Sequence, residues 1–147
     1  MAQTNNQNSK QWAVTLSNDV QEIPLLNKFV DEVCEFNGLD EMATMQMNLA
    51  LEEAVVNVMS YAYPEGTKGD VDIKARSDDS RIEFVITDGG KPFDPTTRGE
   101  VDTSLPAEQR RIGGLGIHLV RHLMDTISYQ RVNDHNVLTL VKGKNEK

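Results

Sequence analysis

Glu52-Glu53-Ala54-Val55-Val56-Asn57, set inside an apolar helical run, places a carboxylate and a carboxamide four residues apart. Side chains at that spacing share one face of a helix, where they can meet a common metal ion. Two glycine-rich turns follow, Asp88-Gly89-Gly90 and Gly113-Gly114-Leu115-Gly116. An acid and an amide on one helix, followed by loops that admit phosphate, suggest a nucleotide site that uses Mg²⁺.

A helical wheel decides which glutamate takes part. With Leu49 at the centre of the buried face, Met42, Met45, Val56 and Met59 fall within roughly 80° of it and define an apolar stripe. Glu53 then lies about 40° from the centre and Asn57 about 80°, on one shoulder. Glu52 lies about 60° away on the other. Glu53 and Asn57 are about 40° apart, Glu52 and Asn57 about 140°, so only Glu53 can act with Asn57. As plain boundary residues the two would be solvated at the edge of the core. Leaning toward a packed face without a partner costs roughly 1–3 kcal/mol per polar group, and a metal and nucleotide would supply the partners. Asn57 offers Mg²⁺ a neutral oxygen, and Glu53 a base one turn away, within reach of a hydroxyl or water.

Length and composition set the frame. A chain of 147 residues suits one domain with a modest core. Residues 1–9, rich in Asn and Gln, and the tail from about Lys142, with 143–147 outside the domain, are expected to be disordered. The domain itself is expected over 10–142. Fifteen Lys and Arg against 23 Asp and Glu give a net charge of −8. That disfavours direct nucleic-acid binding, which rests on clustered cations. The charge reads as a solubility device, with an acidic patch for a basic partner as the alternative. Cys34 is the only cysteine, which excludes an internal disulfide, and its apolar neighbours suit a buried thiol. No segment approaches 18 apolar residues and no signal-peptide core is present, so no membrane association and a cytoplasmic location are expected.

The periodicities order the elements as β-α-α-β-β-lid-α-β-β. A strand is expected over 11–17, and helices over about 20–36 and from Asp40, as N-cap, to about Tyr61. Strands follow over 70–76 and 81–87, a helix over about 115–126, and strands near 127–132 and 136–141. Residues 89–112, long, polar and rich in Pro and Gly, read as a functional lid. The predicted fold is α+β: a single-layer mixed, mainly antiparallel β-sheet with helices packed on one face.

Asp88 ends a strand just before Gly89-Gly90-Lys91-Pro92-Phe93-Asp94, where glycine permits close backbone approach and the carboxylate presents an acceptor into the crevice; an ordinary turn would look the same. Arg110-Arg111-Ile112-Gly113-Gly114-Leu115-Gly116 opens the last long helix, and a helix start with added positive charge attracts anions. Neither a Walker loop nor a dinucleotide fingerprint is present. His118 and His122 have a spacing that zinc could use, but no zincin glutamate accompanies them, so they read as helix-surface residues.

Taken in order, Glu-x3-Asn on a helix, Asp-x-Gly after a strand, a lid and Gly-x-Gly opening a helix resemble the GHKL (Bergerat-fold) ATP-binding domain. The Glu53–Asn57 wording, the Asp88-x-Gly90-x-Pro92-Phe93-Asp94 box and Gly114-Leu115-Gly116 are most similar to the anti-sigma-factor serine/threonine kinases of bacterial partner switching, the RsbW/SpoIIAB group. The resemblance implies ATP and Mg²⁺ as cofactors, Glu53 as catalytic base and Asn57 as metal ligand. It implies that Asp88 accepts from the adenine amine, that Gly90 and Phe93 border the base, and that Gly113, Gly114, Leu115 and Gly116 hold the phosphates. Arg111, or Arg110, would reach the γ-phosphate. The partners implied are a STAS-domain anti-anti-sigma factor, a sigma factor and a second copy of the chain, since members commonly dimerise.

Three positions depart from that pattern. Tyr61 stands where a histidine or small polar residue is usual, and Ile112 where a charged one is. His135-Asn136-Val137 replaces the usual Gly-Thr before the last strand. Two other functions fit parts of the sequence. One is an ATP-binding regulatory module without transfer, in which Glu53 would have no task. The other is a detached histidine-kinase ATP-binding domain, for whose phospho-acceptor hairpin the chain has no room.

Overall fold

The structure is a computed structural model that describes residues 9–97 and 113–144, with the backbone alone at 97 and 113–117. The elements run β1 (Lys10–Ser17), α1 (Ile23–Phe36), α2 (Glu41–Tyr61), β2 (Asp70–Ser77), β3 (Arg81–Asp88), α3 (Gly113–Leu123), β4 (Thr126–Val132) and β5 (His135–Gly143). Short 3-10 turns at Val20–Glu22 and Pro95–Thr97 complete the path. The predicted order is the observed one. The first helix proves to be two pieces, the 3-10 turn and α1, with Pro24 in the first turn of α1. Proline is favoured there because the first amides of a helix have no partner to lose.

The five strands form one sheet in the order β1-β2-β3-β5-β4, and each of the four pairings is antiparallel. Alternation decides which face is covered. Leu16, Val71, Ile73, Ala75, Ile82, Phe84, Ile86, Leu138 and Leu140 are buried beneath the helices. Gln11, Ala13, Lys74, Arg76 and Thr126 lie on the other face with more exposure. Asn133 and Asp134, both at positive φ (51° and 67°), make the tight turn of the β4–β5 hairpin; short polar side chains tolerate that region.

Asp40 caps α2 as expected, its Oδ1 accepting from Ala43 N at 2.9 Å. The orientation of α2 is not the expected one. Met42, Met45 and Leu49 are exposed (58%, 51% and 40%), whereas Met47, Ala50, Leu51, Ala54, Val55 and Val58 are buried. Leu49 stands roughly opposite the buried stripe rather than at its centre. The helix is apolar around most of its circumference, so two stripes compete. The one carrying alanines wins because small side chains let α2 pack closely on the sheet and neighbouring helices.

The C-terminal end also differs from expectation. Lys142 and Gly143 belong to β5, and Lys144 Nζ donates to Asn37 Oδ1 (2.9 Å) and Asp78 O (2.8 Å). Ser9 is among the described residues; the rest of the expected tails, 1–8 and 145–147, lies outside them, as does most of the expected lid.

Candidate functional site

Asn57 is buried (4% exposed) although it lies well off the apolar centre of α2. Its Nδ2 donates to Glu53 O at 2.7 Å, which commits the amide nitrogen and leaves Oδ1 as the atom to face a cation. Glu53, half-buried, makes no hydrogen bond or ion pair with its carboxylate among the described residues. Glu52 is engaged elsewhere, accepting from Asn27 Nδ2 on α1 at 2.7 Å. Leu49 is not at the centre of the buried face, but the angular separation of each glutamate from Asn57 does not depend on that centre. Glu53 remains the carboxylate on the side of Asn57.

The C-terminal end of α2 meets the turn after β3. Lys91 N donates to Ala62 O at 2.8 Å, and Gly89 N donates to the Tyr63 hydroxyl at 3.1 Å. That hydroxyl donates in turn to Asp70 O at 2.8 Å. A Cβ at Gly90 would stand 2.4 Å from Ala62 O, so only glycine lets the two segments close. Phe93, buried, packs its ring on Tyr61 with centroids 5.4 Å apart. Tyr61, a departure from the usual pattern, thus supplies an aromatic wall.

Asp88 is the most constrained residue here. It is 2% exposed, and its Oδ1 accepts from Gly90 N (2.9 Å) and Asn136 Nδ2 (2.9 Å). Its Oδ2 is buried and has no hydrogen-bond partner among the described residues. Burial pushes the carboxyl above its ordinary value of 3.8, against the bonds from Asn136 and Gly90 and the charges of Arg131 and His135. An unpartnered buried carboxylate oxygen costs free energy and is the kind of atom a ligand N–H satisfies.

Gly113, Gly114, Leu115 and Gly116 form the first turn of α3, a helix that packs on α2. The amides of such a turn have no partners within the helix. Arg110 and Arg111 lie outside the described residues, as does Ile112. His118 and His122 are exposed on α3, and the described residues hold no cluster of three His, Cys, Asp or Glu fit for a metal. Asn57 Oδ1 with water and phosphate oxygens suits Mg²⁺, which takes few protein ligands. The sequence marks Asn136 only as part of the His135-Asn136-Val137 segment that stands in place of Gly-Thr. Its part in the site comes from sheet register, which pairs it with Asp88 across β3 and β5.

Comparison with known proteins gives the family. The family described as the histidine kinase-like ATPase domain matches residues 16–142. The serine/threonine-protein kinase BtrW of Bordetella bronchiseptica is 31% identical over 94 residues, 64% of this chain and 66% of the relative. The serine-protein kinase RsbW of Bacillus subtilis is 31% identical over 102 residues, 67% and 62% of the two chains. RsbW of Listeria monocytogenes is 31% identical over 94 residues, 61% and 60%. The chain thus spans just under two thirds of the length of these relatives. With the family match covering most of its length, the chain belongs to the histidine kinase-like ATPase domain family.

Proposed function

We propose that the chain is an ATP-dependent serine/threonine protein kinase of a bacterial partner-switching system. It phosphorylates a STAS-domain anti-anti-sigma factor and otherwise holds a sigma factor, so that it regulates transcription from the cytoplasm as a homodimer. No helix of the described residues is long and apolar enough to cross a membrane. The observation that carries the kinase reading is the division of labour on α2. Glu52 is tied to Asn27, whereas Glu53 keeps an uncommitted carboxylate one turn before the buried Asn57.

In this reading the adenine amine donates to Asp88 Oδ2, and the amides opening α3 receive the phosphates. Asn57 Oδ1 would hold Mg²⁺, which would supply charge neutralisation at the phosphate oxygens. Glu53 takes the proton from the acceptor serine as its oxygen bonds to the γ-phosphorus. The bond from that phosphorus to the β–γ bridging oxygen breaks, and ADP leaves. Most of the acceleration in such transfers comes from positioning and charge neutralisation.

Incubation with γ-labelled ATP, Mg²⁺ and a STAS-domain protein from the same genome tests the reading. Label on a serine or threonine of the partner is the expected result. Glu53→Gln should retain ATP binding and lose transfer by about a hundredfold or more, the usual contribution of a general base. Asn57→Ala should weaken Mg²⁺-ATP binding itself. A partner that stays unlabelled while ATP binds, or equal transfer by Glu53→Gln, would overturn the kinase assignment.

A further inference from the structure

One cross-strand row runs through Leu16, Val71, Asp88, Asn136 and Arg131, from β1 to β4. Its character changes midway. Leu16 and Val71 are buried and apolar, Asp88 and Asn136 are buried and polar, and Arg131 at the edge is exposed. Asn136, 3% exposed, spends its full hydrogen-bonding capacity inside the protein. Its Nδ2 donates to Asp88 Oδ1 (2.9 Å) and to Lys91 O (2.8 Å). Its Oδ1 accepts from Phe93 N (3.1 Å), the Tyr129 hydroxyl (2.5 Å) and Arg131 Nη1 (3.1 Å). Arg131 also donates to Gly90 O at 2.9 Å.

These partners determine the orientation of the amide. Turned over, it would set its oxygen against Asp88 Oδ1 and Lys91 O, and its N–H groups against three donors. Nothing on Asn136 is left to touch a base directly. Its effect on a ligand passes through Asp88, whose Oδ1 it pins while Oδ2 stays without a partner.

We propose that Asn136 is a positioning residue, which fixes Asp88 so that one carboxylate oxygen faces the site and selects bases carrying an exocyclic amine. The proposal rests on the nucleotide reading above. It assigns the role to a carboxamide at a position where the resemblance calls for a hydroxyl. A bound base without the amine would leave Oδ2 buried and unpaired, which is the stronger part of the discrimination.

The test compares two ligands, ATP and the triphosphate of purine riboside, which lacks the amine, titrated with Mg²⁺ into the full chain. The unaltered protein should favour ATP by about tenfold to a hundredfold, the usual effect of one hydrogen bond to a charged group. Asn136→Asp keeps an oxygen for Phe93, Tyr129 and Arg131 and replaces the donor edge that faces Asp88 and Lys91 O. It should bring the ATP affinity down toward that of the analogue, with the ratio approaching one. Asn136→Ala, which removes the amide altogether, should do the same and serves if Asn136→Asp fails to fold. A ratio unchanged in the folded variants overturns the proposal, and so does an equal loss for both ligands, which marks a purely structural role. Equal binding of both ligands by the unaltered protein overturns it as well. Binding of neither ligand to that protein would instead bring down the nucleotide reading itself.

Discussion

Gly90 and Asp88 pull stability in opposite directions, since Gly90 lets two backbone segments close whereas Asp88 buries a carboxylate oxygen without a partner among the described residues. A methyl at Gly90 would meet Ala62 O at 2.4 Å and Ala62 C at 2.8 Å, both backbone atoms of the segment that closes α2. Gly90→Ala should therefore destabilise the fold by about 1–3 kcal/mol, as overpacking does, and weaken nucleotide binding. Denaturant unfolding with and without ATP measures both. Asp88 gives a pH dependence. Its folded pKa is raised, so the folded state holds the proton more tightly than the unfolded chain, and the stability cost is absent well below 3.8. The cost grows as pH rises through the carboxylate range and is complete above the raised folded value. Asp88→Asn should thus gain stability relative to the unaltered protein at neutral pH, lose that advantage in acid, and bind ATP poorly. Unfolding midpoints measured from pH 3 to pH 7 would show the divergence, and parallel curves would refute it. The carboxylate and its glycines were legible in the sequence; the unpartnered Oδ2 was not, because it depends on which strand lies beside β3.

At the scale of elements, α2 is where sequence and structure disagree most usefully. Its ends were readable, since Asp40 as N-cap and Pro64-Glu65-Gly66 beyond Tyr61 act locally. Asp40→Ala should cost about 1 kcal/mol through the lost bond to Ala43 N, visible as a lower denaturant midpoint at unchanged slope. Its buried side was not readable, because Met42, Met45 and Leu49 form as good an apolar stripe as the one that packs. A pair of truncations separates the two. Leu51→Ala, at a fully buried position, should cost about 2–5 kcal/mol, while Leu49→Ala should change stability by only about 0.5 kcal/mol. Equal losses would restore the wheel centred on Leu49. Tertiary packing overrides a helix's own pattern whenever that pattern is nearly isotropic, and α2 is such a case.

For the molecule as a whole, Cys34 offers a probe of cooperative opening. The thiol is fully buried, and its pKa is pushed up to about 11, chiefly by burial, with a hydrogen bond to Thr44 opposing and the charge of Asp31 adding. At pH 8 a thiol reagent should modify it only as fast as the domain unfolds globally, and labelling at the rate of a free thiol would mean local opening of α1. The sequence by itself determined the element order, the caps and turns, the burial of Cys34 and that Glu53, rather than Glu52, lies on the side of Asn57. These follow from periodicity, backbone preference and angular separation along one helix, all of which act over a few residues. The tertiary structure alone decided which stripe of α2 packs, and that Asn136 lies across from Asp88. It also decided that the strand after the tight turn extends to Gly143. Those outcomes depend on the register and closeness of segments that lie tens of residues apart in the chain.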